Sequence, residues 1–258
     1  MKIALLSDLH LEHSYPGQYF NPGTGEILIL AGDIFCAHHL KKNGYLNEIY
    51  RKFIKDCADN YEHVLFVTGN HGFYGYNYEG AFKTLEEAFP DNFHLLENTT
   101  VKINNVNFIG FNLWTDFYKE NAIEMMDAEM YMNDYKSIRI GSNYRKLRAK
   151  DVLEIHRKSR EYLEQKLQEL ADEQVFVISH HAPSPQCIAP KFKTSRCNGA
   201  FCSDFDELIL NSPNLKNWVF GHVHTAFDFH IGHCRLTCNP RGYQGETTGF
   251  NPEKIIEI

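Results

Sequence analysis

No run of apolar residues in this 258-residue chain approaches the roughly 20 needed to span a bilayer, so no membrane partner is expected. Nor is a secretory leader expected. Met1-Lys2 passes at once into Ile3-Ala4-Leu5-Leu6, with no charged stretch followed by an apolar core. Positive charge is in deficit: 26 Lys and Arg face 33 Asp and Glu, a formal charge of −7. Nucleic-acid binders normally leave a basic footprint, so wholesale nucleic-acid binding is not expected. The seven cysteines are scattered, odd in number and contain no C-x-x-C pair, which argues against a disulfide framework. Cys234 and Cys238 are near enough to meet, yet free buried thiols in a reducing compartment are the simpler reading. Linkers are absent as well. The expectation is one cytoplasmic domain over residues 1–258, long enough to bury a sizeable core.

What the chain does have is five short clusters of metal-capable residues, most of them placed directly after an apolar run. They are Ser7-Asp8-Leu9-His10 after Ile3 to Leu6, Gly32-Asp33 after Ile27 to Ala31, and Gly69-Asn70-His71 after Val64 to Val67. His180-His181 follows Val175 to Ile178, and Gly221-His222-Val223-His224 follows Trp218 to Phe220. An apolar run that ends in Gly, Asp, Asn or His reads as a buried strand handing over to a loop, and in layered α/β folds ligands gather at those ends. The donors outnumber the four that a tetrahedral zinc takes. They suit two metals that share a carboxylate and leave places for water and substrate.

Each cluster has a plainer reading. Asp8 and His10 make an ordinary strand-to-loop turn, Gly32-Asp33 is turn chemistry, and Asn70 is a good helix N-cap. His222 and His224 are harder to dismiss, because in an extended chain residues two apart project to the same side.

Taken in order, the clusters resemble the calcineurin-like metallophosphoesterases, whose pattern reads D-x-H, G-D, G-N-H, H, G-H-x-H. The resemblance spans Asp8 to His224. It implies an α/β fold, a four-layer α/β/β/α sandwich with two mixed β-sheets. It implies that Asp8, His10 and His224 hold one metal, that Asn70, His222 and His180 or His181 hold the second, and that Asp33 bridges them. His180 is preferred because the family's His follows the strand and a small polar residue, here Ser179; His181 then becomes a supporting or substrate-facing group. The implied cofactors are two ions, manganese, iron or zinc. The implied reaction is hydrolysis of a phosphomonoester or phosphodiester, of a phosphorylated small molecule or a nucleotide, by attack of a metal-bridging hydroxide on phosphorus. His71 is placed to give a proton to the leaving oxygen, or else to orient a carboxylate. A nuclease of the same fold and a non-catalytic metal-binding scaffold are the alternatives.

Two departures narrow the subgroup. The protein-phosphatase branch continues G-D into D-R-G, whose Arg binds phosphate, whereas Asp33 here runs into Ile34-Phe35-Cys36. Gly72 also replaces the acid that often follows G-N-H. Arg241, in a Pro240-Gly242 turn, offers either a substrate clamp or a partner for a surface carboxylate.

Helical spacing marks Tyr45 to Asn60, Glu79 to Phe89 and Val152 to Leu170, and short strands are read at Phe93 to Leu96, Val101 to Ile103 and Val106 to Phe111 around an Asn104-Asn105 turn. Residues 114–150 are acidic in their first half and basic in their second. They read as a helical excursion whose halves pair in charge or, alternatively, as a cap insertion whose Arg grips a phosphate.

Overall fold

In the computed structural model, which describes residues 1–13 and 20–258, β-strands and helices alternate along most of the chain. The strands are β1 (Lys2–Leu6), β2 (Gly25–Ala31), β3 (Tyr61–Val67), β4 (Phe93–Leu95), β5 (Thr99–Ile103), β6 (Val106–Phe111), β7 (Arg139–Ile140), β8 (Arg145–Lys146), β9 (Gln174–Ser179), β10 (Leu215–Phe220), β11 (Phe227–Ile231), β12 (Cys234–Cys238) and β13 (Ile255–Glu257). The helices are α1 (Tyr45–Asn60), α2 (Tyr78–Ala88), α3 (Ala122–Tyr131), α4 (Asp134–Ser137), α5 (Ala149–Glu169) and α6 (Asp206–Leu210).

A five-stranded sheet runs β13-β1-β2-β3-β4 and a six-stranded one runs β11-β12-β10-β9-β6-β5. Both are mixed. β1 to β4 are mutually parallel with β13 antiparallel at one edge, and β6, β9, β10 and β12 are parallel with antiparallel β5 and β11 at the two edges. Alternation along each strand divides the core. Ile3, Leu5, Ile27, Ile29, Leu65 and Val67 meet Phe108, Phe176, Ile178 and Val219 between the sheets. The intervening Leu6, Leu28, Leu30, Val64 and Phe66 face outward beneath Ile49, Tyr50, Phe53 and Ile54 of α1. On the far side, Val175, Val177 and Trp218 pack with Leu163 and Leu167 of α5. Strands buried on both faces need unbroken apolar runs, which is why they are visible in the sequence. The result is the four-layer α/β/β/α sandwich.

Helix ends depart from the sequence-based bounds for local reasons. Asn77 accepts from Gly80 N and starts α2 one residue early. Asp151 accepts from Arg148 N, so α5 begins at Ala149 rather than Val152. Strands β11 and β13 are short and half exposed and β12 is short and buried except at Arg235; the sequence reading assigns none of the three.

Segment 114–150 does not pair its own halves. Among the described residues Glu120 meets Arg157, Glu124 accepts from Gly199 N, and Glu129 accepts from Ala149 N, while Arg145 meets Asp151. The acids are drawn to α5 and to free backbone N–H groups, so the expected pairing is corrected. None of its arginines lines the cleft described below, to which it contributes Tyr131, Met132 and Asn133. Residues 117–120 form a left-handed turn, with φ of 51, 53, 59 and 66°, anchored by the fully buried Phe117. No helix among the described residues is long and apolar enough to cross a membrane.

Candidate metal centre

Parallel register brings the carboxyl ends of β1, β2 and β3 to one edge, since Leu6 pairs with Leu30 and Ala31 with Val67. β9 and β10 end at the same edge of the second sheet. All five clusters therefore meet where the chain leaves the sheets. Asp8, His10, Asp33, Asn70, His71, His180 and His222 are buried there, with His224 at the rim.

The turns that present them are strained. Asp8, His10, Asp33, His222 and His224 all have positive φ, at 51, 46, 53, 67 and 42°. Each left-handed residue that is not Gly costs about 1–2 kcal/mol, and such strain collects at functional sites. The His222–His224 stretch is thus a bend rather than the extended segment considered above, and its two rings enter different groups of donors. Glycine is required beside them. A Cβ at Gly32, whose φ is 86°, would collide with the His180 ring, and one at Gly69 would collide with the Asp33 carboxylate.

Among the described residues four groups of donors form, each with its atoms within 4.8 Å of one another; two are the nests Asp8 with His10 and His224, and Asp33 with His180 and His222, and a third, His10 with Asp33 and His71, links them. Asp33 Oδ2 lies between them, 3.9 Å from His10 Nε2 and 3.4 Å from His180 Nε2. Its Oδ1 accepts from His71 N at 2.9 Å, as Asp8 Oδ1 accepts from His222 N at 2.9 Å. Asn70 Oδ1 stands 3.0 Å from His180 Nε2.

Hydrogen bonds behind the nests fix which atoms face inward. His10 Nδ1 donates to Glu12 Oε1 at 3.0 Å, His224 Nδ1 to Glu246 Oε2 at 2.6 Å, and His180 Nδ1 to the Ala31 carbonyl at 3.1 Å. Each Nε2 is thereby turned toward the centre of the cluster. His10 Nε2 and His224 Nε2 confront each other at 3.1 Å. Asn70 Nδ2 donates to Asp134 Oδ1 at 2.8 Å, which turns Oδ1 toward His180. Asp8 Oδ2 and His222 Nε2 are buried without any hydrogen-bond partner. Buried carboxylate, imidazole and amide donors that converge in this way fit metal binding.

Imidazoles and carboxylates of the cluster stabilise one another's charges: burial works against His224 and His180, but Asp8 and Glu246 push His224 up to about 9 and Asp33 and Asp8 raise His180. Burial works against the Asp33 carboxylate, but His180 and His71 outweigh it and hold its pKa well below the usual range; Asp8 is held down in the same way, chiefly by His224. Burial, helped by the neighbouring His181 and His180 imidazoles and only partly opposed by Asp33, drives His222 well down, which keeps its imidazole neutral. For His71, burial is outweighed by Asp33 and Glu12, which push it up to about 9. Glu12 in turn is held at about 2 despite its burial, by His10 and His71.

Two sequence expectations fare differently. His181 is buried, donates Nδ1 to Asn112 Oδ1 at 2.9 Å, and packs between Trp114 and His222 at ring-centroid distances of 5.0 and 4.2 Å. Neighbours cover both of its faces, so the substrate-facing role is corrected. Arg241 donates Nη1 to the Leu9 carbonyl at 3.1 Å and borders an adjoining cavity of about 830 Å³ beside His10 and His13, which shares Tyr243 and Glu246 with the cleft over Asp33. It does not line the cleft over Asp33, which holds about 400 Å³.

Four residues of the site escaped the sequence reading. Glu12 Oε1 accepts from both His10 and His71, the latter at 2.8 Å. Its signal was the spacing Asp8-x-His10-x-Glu12. Asp134, Glu246 and Tyr243, whose hydroxyl is 3.0 Å from His71 Nε2, come from distant segments and carry no local signal.

Two sheets that deliver strand-end carboxylates and imidazoles into one buried acceptor nest define a metal-dependent phosphoesterase. A family model described as calcineurin-like phosphoesterase matches residues 1–226, and the chain belongs to that family. Over 98% of its length it is 26% identical to an uncharacterized protein of Acanthamoeba polyphaga mimivirus, covering 95% of that protein. In structure it is similar to phosphopantetheinyl hydrolase of Mycobacterium tuberculosis, with TM-score 0.65 and 14% identity over 96% of this chain and 93% of that one. It is also similar to a dimetal phosphatase of Danio rerio, with TM-score 0.51 and 11% identity over 93% and 87%.

Proposed function

We propose that this phosphoesterase hydrolyses a phosphomonoester or phosphodiester of a small molecule or nucleotide with two metal ions, drawn from manganese, iron and zinc. Asp8, His10 and His224 hold one ion, Asn70, His180 and His222 hold the other, and Asp33 is shared. The observation that carries this reading is the convergence of Asp8, His10 and His224, and of Asp33, His180 and His222, with the donor atoms of each group within 4.8 Å of one another and with Asp8 Oδ2 and His222 Nε2 buried without a hydrogen-bond partner among the described residues. Mixed imidazole and oxygen donors suit these first-row metals. Free cysteines throughout the chain suit the cytoplasm.

When bound, the metal pair supplies the positive charge that activates a water and neutralises phosphoryl oxygens. The chain's own residues do the rest. Glu12 holds His71 by Nδ1 and leaves Nε2 to deliver a proton to the departing ester oxygen. The Tyr243 hydroxyl stands 3.0 Å from that nitrogen, and an ester oxygen taking the proton would have to share or displace this contact. Glu12, Glu246 and the Ala31 carbonyl orient His10, His224 and His180, and Asp134 orients Asn70.

The test is hydrolysis of p-nitrophenyl phosphate and bis-p-nitrophenyl phosphate by metal-stripped protein with manganese restored, beside Asp33→Asn and His71→Ala. Metal-dependent turnover that disappears in Asp33→Asn and falls by roughly 10²–10⁴ in His71→Ala is expected. Two equivalents of bound metal with no turnover of either ester would sink the proposal.

A further inference from the structure

The cleft above Asp33 has an unusual lining for a site that binds phosphate. Beyond the donor residues on its floor, it is walled by Tyr131 and Met132 from the end of α3 and by Ile188, Phe192 and Phe201 from the loop after β9. No Lys or Arg lines it, and residues 14–19 contain neither. Lys191 places Nζ over the Phe192 ring at 4.8 Å without entering the lining. The carboxylates present, Asp33 and Glu246, would repel extra negative charge. A polyphosphate chain needs cations or Arg forks along its length, and here only the metal ions and imidazoles of the cleft floor, such as His71, would face it.

The apolar wall is not core surface that happens to show. Phe192 is 44% exposed and Tyr131 is 55% exposed, so both offer ring faces to the cleft mouth that no core packing consumes. Phe201 lies with its ring 4.6 Å from that of His222 at 32°, which places an aromatic face directly beside a metal donor. A space of about 400 Å³ falls within the range of pockets that enclose small organic ligands.

We infer that the site selects esters carrying a single phosphate whose ester group is uncharged and aromatic or apolar, seated on Phe192, Phe201, Tyr131 and Met132. This rests on the phosphoesterase reading above and adds the substrate class to it. The class includes nucleoside monophosphates and simple aryl esters, and excludes nucleotides with polyphosphate chains.

The test holds the leaving group constant. Manganese-loaded protein is assayed on p-nitrophenyl phenyl phosphate and p-nitrophenyl methyl phosphate, with tripolyphosphate as a competing substrate, and binding of phenylphosphonate is followed by calorimetry. A KM for the phenyl ester at least tenfold below that for the methyl ester is expected, as one well-buried aromatic contact is typically worth about that factor or more. Phe192→Ala and Tyr131→Ala should narrow the gap by raising KM for the phenyl ester with little change in kcat. Equal KM values for the two esters, variants that slow both esters alike, or preferred cleavage of tripolyphosphate would overturn the inference and leave the phosphoesterase reading intact. If no ester is hydrolysed, the phosphoesterase reading fails and calorimetry still decides: phenylphosphonate binding that weakens in Phe192→Ala supports the apolar subsite, and no binding overturns it.

Discussion

Glu97 follows β4 and points its carboxylate beneath the sheet end that carries the site. Oε2 accepts from Asn112 N at 2.9 Å, while Oε1 is buried with no hydrogen-bond partner. Burial pushes this carboxyl up from 4.5 to about 7, with the Asn112 N–H offsetting part of the rise. The folded protein therefore holds the Glu97 proton more tightly than the unfolded chain does. Stability from that proton is fully present below about pH 4.5 and is lost as pH rises through about 7. About 2.5 pH units separate the two values, and at about 1.4 kcal/mol each they amount to roughly 3–4 kcal/mol. Glu97→Gln keeps an oxygen for Asn112 and cannot ionise. Its urea midpoint should match the wild type near pH 4.5 and exceed it at pH 8, with a melting temperature higher by roughly 6–10 °C there. Other titrating groups are common to both proteins and cancel in the difference. A stability difference that does not change between pH 4.5 and 8, or a Gln variant that is the weaker protein at pH 8, would refute the argument.

Three further outcomes follow from the site. Asp134→Leu removes the acceptor that turns Asn70, and one of two manganese affinities should fall by about 10–100-fold in calorimetry, with Asp134→Asn recovering much of it. Glu12→Gln should lower both metal affinity and kcat, each by about tenfold or more, because one oxygen holds His10 and His71; an effect on kcat alone would show that it does not support His10. Restoring manganese to stripped protein at 100 times its Kd should raise stability by about 2.7 kcal/mol per site, read as a shift in the melting curve, and an unmoved curve would mean the nest binds no metal.

Local sequence determined the strands that carry the site and the residues that follow them. β1, β2, β3 and β9 are buried on both faces, so they appear as continuous apolar runs, and the clusters after them are short and adjacent in sequence. α1 was legible for a similar reason, since Ile49, Tyr50, Phe53, Ile54 and Cys57 fall on one helical face. Tertiary structure alone decided the partners of those residues. His180 and His181 are neighbours of the same type, and only the facing sheet separates them: His180 reaches Ala31 across the sheets, while His181 turns to Asn112. Asp134 meets Asn70 across 64 residues, and Tyr243 meets His71 across 172. A carboxylate or a phenol has no local pattern that announces such a contact. Its role arises from the loop that delivers it, and a loop's path is set by the packing of the whole molecule.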